Sequence, residues 1–150
     1  RFTNLQSAIG LAQLEKLNKF INKKRRIGKF YNNGLSKIKS LNVPLDKTKY
    51  AKNIYWVYGI LLKKNSTISL ETLMKKLKDS GIETRNFFWP LHKQPVFKKM
   101  GLFKKVKLPI SEYLAKNGLY LPTGMSLTLS QQKFVINKVK KFFLRKHDIK

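Results

Sequence analysis

The chain has 150 residues and is 42% hydrophobic, enough to close the core of one domain or to form one part of a larger one. It shows no run near the ~18 apolar residues that cross a bilayer, no signal-peptide pattern and no cysteine. That argues against a spanning helix, a disulfide framework and a thiolate site, and makes a reducing, cytoplasmic setting the expectation, with no membrane partner.

Leu5, Ile9 and Ala12, then Leu14, Leu17 and Ile21, recur at three- and four-residue steps with polar residues between them. This spacing predicts one long helix from about Thr3 through the basic run at 23–26 toward Tyr31, stopped by Asn32-Asn33-Gly34. The basic run reads as a solvated helix face, with a phosphate or membrane patch as the lesser alternative. After a loop at 43–46, the aromatic and branched run at 54–62 predicts a buried strand. Ser69 is a good N-cap for a helix whose Leu70, Leu73, Met74 and Leu77 share one face, and Gly81 closes it. Residues 82–88 predict a second strand, and Pro90 and Pro95 stiffen the loop beyond it. The lysine-rich stretch 98–107 reads as a mobile connection, and Pro109 starts a short helix. A third strand is expected at 118–122, then a turn at Pro122-Thr-Gly124. Thr128 with Gln131 forms a capping box for a last helix whose Val135, Val139, Phe142 and Phe143 are its buried stripe. The order α, β, α, β, α, β, α predicts an α/β or α+β layered fold around a small sheet of about three strands.

The densest chemistry lies in Gly81-Ile-Glu-Thr-Arg-Asn-Phe-Phe-Trp-Pro-Leu-His-Lys-Gln-Pro95, which brings an arginine, three aromatics and a histidine into one turn-bounded segment. Loops on rigid scaffolds carry binding residues; the alternative is a strand ending in a hydrophobic loop over a core. His92 and His147 are far apart and lack carboxylates at ligand spacing, so no metal site is expected. There is no G-x-S-x-G elbow, no Gly-rich phosphate loop and no obvious carboxylate pair, and no lysine is singled out for a Schiff base. The chain is thus expected to supply binding groups and no catalytic residue of its own, with its cofactor contacts unassigned.

The 33 basic and 7 acidic residues give a formal net charge of +26, which admits polyanions as partners. Only Arg1, Arg25, Arg26, Arg85 and Arg145 are arginines, whereas phosphate and base recognition favours the guanidinium fork. The lysines are spread in pairs along every segment, as in the coding bias of an AT-rich genome. No specific nucleic-acid partner is expected; a small basic nucleic-acid or polyanion-binding module stands as the alternative reading.

Three segments carry a resemblance. Arg1-Phe-Thr-Asn-Leu-Gln-Ser-Ala-Ile-Gly-Leu-Ala-Gln-Leu14 is similar to the helix opening N-Y-R-M-x-x-x-x-A-A-I-G-x-x-Q-L of the DegT/StrS family of pyridoxal-phosphate-dependent sugar aminotransferases. The segment 81–95 resembles its G-I-E-[ST]-R-P-F-F-x-P-[LM]-H-x-x-P motif, and residues 119–129 resemble its L-x-L-P-[ST]-G-x-x-L-T ending. The R-x-F-F-x-P version is most like the perosamine-synthase branch, which aminates C4 of a GDP-linked 4-keto-6-deoxy sugar; Asn86 departs from it, standing where that branch has proline.

The resemblance implies the C-terminal domain of a fold-type-I aminotransferase. Residues 1–35 would be a helix leading from a large domain upstream of Arg1, and 36–150 the small domain. It further implies pyridoxal phosphate bound mainly by that large domain, glutamate as amino donor, a homodimer with shared active sites and a role in polysaccharide or O-antigen sugar biosynthesis. Arg85, Phe88, Trp89 and His92 match the loop that walls the sugar-nucleotide site. The chain alone is expected to be inactive.

Overall fold

The computed structural model describes residues 1–143; His147 and Arg145 lie outside the described residues. Thr3 opens α1 (Asn4–Glu15) with a capping box: its hydroxyl accepts from the Gln6 N–H at 3.3 Å, and its own N–H donates to Gln6 Oε1 at 2.9 Å. At Lys16 the backbone leaves helical values (φ −100°, ψ 3°) and α2 (Leu17–Leu35) begins at once. The single helix expected from periodicity is therefore two.

Burial differs across the break. No residue of α1 is buried, whereas Ile27, Gly28, Tyr31 and Leu35 of α2 enter the core. Asn32-Asn33-Gly34 does not stop the helix. Asn32 spends its amide on the Pro44 carbonyl (3.1 Å) and the Tyr55 hydroxyl (3.0 Å), and its oxygen accepts from Tyr58 at 2.7 Å. A side chain with three partners in a packed core outweighs the local turn preference of asparagine.

The remaining elements are β1 (Leu41–Asn42), β2 (Tyr58–Leu62), α3 (Leu70–Asp79), β3 (Arg85–Asn86), a 3-10 turn (Leu91–Lys93), α4 (Pro95–Lys99), α5 (Pro109–Asn117), β4 (Gly118–Leu121) and α6 (Leu129–Phe143). The sheet is antiparallel, in the order β1-β2-β4-β3. It has four strands where three were expected, because a two-residue strand such as β1 has no readable periodicity. The run at 54–62 forms a strand only from Tyr58. Tyr55, buried with φ +52°, turns the chain before it. The second expected strand shrinks to Arg85–Asn86, and 98–107 begins inside α4 and continues as turns over an edge-on Phe97–Phe103 pair, 5.8 Å between rings. The caps hold as read: Ser69 accepts from the Thr72 N–H, and Thr128 and Gln131 bond reciprocally ahead of α6.

The strand faces sort the molecule. Tyr58, Ile60 and Leu62 of β2, with Leu119 and Leu121 of β4, face a core closed by Tyr31 and Leu35 of α2, Leu73 and Leu77 of α3, and Val135, Val139 and Phe143 of α6. Gly28 is the point of closest approach, because a Cβ there would lie inside the Tyr55 ring. The tyrosine hydroxyls stay satisfied: Tyr31 donates to the Pro122 carbonyl at 2.9 Å, and its ring packs tilted against Tyr58 with 4.8 Å between centroids. Burial pushes both phenols above their ordinary range.

Candidate functional site

The opposite face of the sheet carries a bare patch. Gly59 on β2 and Gly118 on β4 sit on the same face by register, since Gly59 pairs with Tyr120 and Leu61 with Gly118. The Phe87 ring lies flat over both glycines, where a Cβ on Gly59 would come within 2.8 Å of it and one on Gly118 would penetrate it. Phe87 also stacks on Tyr120 at 4.7 Å, and its N–H donates to the Gly118 carbonyl at 3.1 Å. Two glycines thus make the seat from which the 88–94 loop departs.

The loop is braced by its own polar groups. The Trp89 indole N–H donates to the Lys93 carbonyl at 3.3 Å, the Gln94 amide donates to the Trp89 carbonyl at 3.1 Å, and Lys93 N–H closes a turn on Pro90. Pro90 and Pro95 fix the backbone on either side. Between this loop and α5 opens a cleft of about 710 Å³, walled by Phe87, Phe88, Trp89, Tyr120, Phe103 and Leu114, with His92 in its lining. Its walls are aromatic and aliphatic with few polar groups, the composition of a small-molecule site.

His92 is the buried polar group of the cleft, 6% exposed. Its Nε2 lies 2.9 Å from Glu112 Oε1 on α5. The same oxygen accepts the Leu108 N–H at 3.4 Å, and Lys93 Nζ lies 3.3 Å from the other carboxylate oxygen. The bond from His92, followed by those from Lys93 and the Leu108 N–H, holds the Glu112 carboxyl below its ordinary value.

Of the four residues expected at the site, the structure brings Phe88, Trp89 and His92 to the cleft. Phe88 and Trp89 are exposed, at 77% and 55%. Arg85 stands apart, exposed on β3 opposite Tyr120 and outside the cleft lining. Glu112 was not legible as a site residue. It lies twenty positions from His92 in sequence, and an acid in the first turn of a helix opened by Pro109 is accounted for by the helix dipole alone. Gly59 and Gly118 were also missed, since a lone glycine in a strand signals only close approach, not by what.

A pyridoxal phosphate site needs a desolvated lysine, a carboxylate for the ring nitrogen and a phosphate cradle. Among the described residues these do not come together. Lys24 is the lysine whose ammonium burial pushes down, and its Nζ is taken by the Trp56 and Thr123 carbonyls at 2.9 and 2.7 Å. Glu112, behind the cleft on α5, has its carboxylate engaged by His92 and Lys93. The described residues do not hold that cofactor by themselves, nor do they gather three or more potential metal ligands. A separate basic groove of about 540 Å³ is lined by Lys19, Asn22, Arg25, Arg26, Lys29 and Lys52.

Residues 1–140 match the model of the DegT/DnrJ/EryC1/StrS aminotransferase family. The chain is 33% identical over 143 residues to a GDP-perosamine synthase of Escherichia coli O157:H7 and 32% identical over 146 residues to one of Vibrio cholerae, covering 95% of this chain in each case. It superposes on the crystal structure of the aminotransferase TlmJ from Streptoalloteichus hindustanus with a TM-score of 0.78 at 26% identity, over 91% of this chain and 35% of that one. The two synthases are matched over only 37% and 38% of their own length, so the chain spans little more than a third of them.

Proposed function

We propose that this chain, which belongs to the DegT/DnrJ/EryC1/StrS aminotransferase family, forms the C-terminal part of an enzyme that aminates a nucleotide-linked 4-keto-6-deoxy sugar, with glutamate as amino donor. Residues 36–150 would be its small domain and 1–35 the pair of helices leading in from the part that binds pyridoxal phosphate, where the cofactor would supply the electron sink. A cytoplasmic homodimer feeding polysaccharide biosynthesis completes the proposal. The observation that carries it is the aromatic cleft built from residues 87–92, the motif shared with the family, in a chain one-third identical to two GDP-perosamine synthases.

The roles of the residues follow from their chemistry. The rings of Phe88 and Trp89 offer flat apolar faces to the deoxy carbon and C–H face of a hexose, and a ring that needs no reorganisation holds the sugar at little entropic cost. His92 supplies a hydrogen-bonding edge in an otherwise apolar wall. Arg85, outside the cleft but on the adjoining strand, carries the guanidinium that would meet the anionic diphosphate end of the substrate. None of these groups breaks a bond; they bind and orient.

In the full-length enzyme, Trp89→Ala should raise KM for the sugar nucleotide by about tenfold with a smaller change in kcat, the sign of lost uniform binding. Turnover with GDP-, dTDP- and UDP-linked 4-keto sugars, read by mass of the amino-sugar product, identifies the nucleotide. No turnover with any of them, or an unchanged KM in Trp89→Ala, overturns the reading. The 150-residue chain alone should form no borohydride-trapped adduct with pyridoxal phosphate at a single lysine.

The basic groove beside Arg25 and Arg26 favours a second reading, a polyanion-binding module. It requires sub-micromolar DNA or RNA binding that survives physiological salt. We expect weak association that fades there.

A further inference from the structure

We infer that Glu112 is a positioning residue for His92: its carboxylate fixes the imidazole proton on Nε2 and leaves Nδ1 as the ring's acceptor for a hydroxyl or amino proton of the cleft's occupant. The inference rests on the reading of the cleft as a sugar site and goes beyond it, because it gives the histidine one defined hydrogen-bonding role and names the group that enforces it.

The chemistry is one-sided. A carboxylate can only accept, so at 2.9 Å the Nε2 nitrogen must be the donor. In the neutral ring the other nitrogen is then an acceptor, and a buried imidazole held this way discriminates for an O–H or N–H and against a carbonyl or phosphate oxygen. Glu112 is itself constrained. Its Oε1 also takes the Leu108 N–H, and its backbone N–H donates to the Leu108 carbonyl at 2.9 Å, so the first turn of α5 grips the side chain that grips the ring. Lys93 Nζ on the second oxygen, at 3.3 Å, comes from the same turn as His92 and ties that turn to α5 a second time. Of the other cleft-lining residues, Phe103, Leu108 and Ala115 carry no polar side-chain atom, and the Ser111 and Tyr120 hydroxyls, which also line the cleft, make no hydrogen bond to the ring. A histidine braced through its far nitrogen by a carboxylate is the arrangement that fixes tautomer and ring orientation in metal sites, and removing such a brace there costs 10–100-fold in function.

The test pairs a spectroscopic readout with kinetics on the full-length enzyme. Nitrogen-15 chemical shifts of the His92 ring should report the Nε2–H tautomer in the wild type. Glu112→Gln keeps the side chain's shape but lets the amide donate as well as accept, so the ring should become a mixture of tautomers. The same variant should lose about 10-fold or more in kcat/KM for the sugar nucleotide, while thermal unfolding confirms that it stays folded. Glu112→Asp, a shorter carboxylate, should recover the Nε2–H tautomer and part of the activity. An Nδ1–H tautomer in the wild type, or an unchanged tautomer and kcat/KM in Glu112→Gln, overturns the inference. Failure of the parent reading looks different: there Glu112→Gln shifts the tautomer, yet neither it nor Trp89→Ala alters the kinetics with any sugar nucleotide.

Discussion

The two faces of the sheet follow opposite rules. On the helix side, Tyr31, Tyr58, Leu73, Val139 and Leu119 are fully buried, and the Asn32–Tyr55–Tyr58 hydrogen bonds satisfy the polar atoms that packing draws in. On the other face and along α1, large apolar groups stay in water: Phe88 at 77%, Leu5 at 73%, Trp89 and Ile9 at more than half. The first region completes itself within this chain. The second stays open to solvent; in the 87–95 loop it is held by the glycine seats, the prolines and the Glu112 brace. Under the proposed function, stability and binding fall on different sides of one small sheet, and substitutions should separate them.

The largest expected effect is on the closed side. Leu73→Ala leaves a cavity in a fully buried wall and should cost about 3 kcal/mol, read as a lower urea midpoint with an unchanged slope. A cost under about 1 kcal/mol would mean that this side is loosely packed and would erase the contrast. Gly118→Ala comes next and probes the junction of the two regions. Its Cβ must displace the Phe87 ring, so we expect a loss of about 1–3 kcal/mol together with loss of sugar-nucleotide binding. Retained binding with the same stability loss would show that the cleft does not depend on its glycine seat.

On α1 the prediction reverses sign. The paired substitution Ile9→Lys with Leu14→Lys should change unfolding free energy by no more than about 0.5 kcal/mol, because neither side chain is buried here. It should nonetheless reduce self-association of the 150-residue chain in sedimentation at moderate salt, since contiguous exposed apolar groups drive association. A wild-type chain that stays monomeric at high concentration would break this half of the comparison.

The smallest effect concerns acid. The folded-state pKa of Glu112 lies below its unfolded value, so its contribution to stability is present above the unfolded value and lost as pH falls through the folded one. Against the wild type, Glu112→Gln should therefore flatten the stability curve below about pH 4.5 and leave it parallel above about pH 6. A difference that instead grows with pH above neutrality would contradict the sign.

By itself the sequence determined whatever depends on neighbours in the chain. The caps at Ser69 and Thr128, the apolar stripes of α3 and α6 and the helix start at Pro109 are written in spacings of one to seven residues, and local hydrogen bonding and periodicity enforce them. Tertiary structure decided what depends on residues far apart. It carried α2 through Asn32-Asn33-Gly34 because Asn32 meets Tyr55 and Tyr58. It cut two expected strands short and added β1. It also brought Glu112 to His92 and laid Phe87 on Gly59 and Gly118, pairings without periodicity, which exist only once the sheet has closed and set distant side chains within hydrogen-bonding and van der Waals reach.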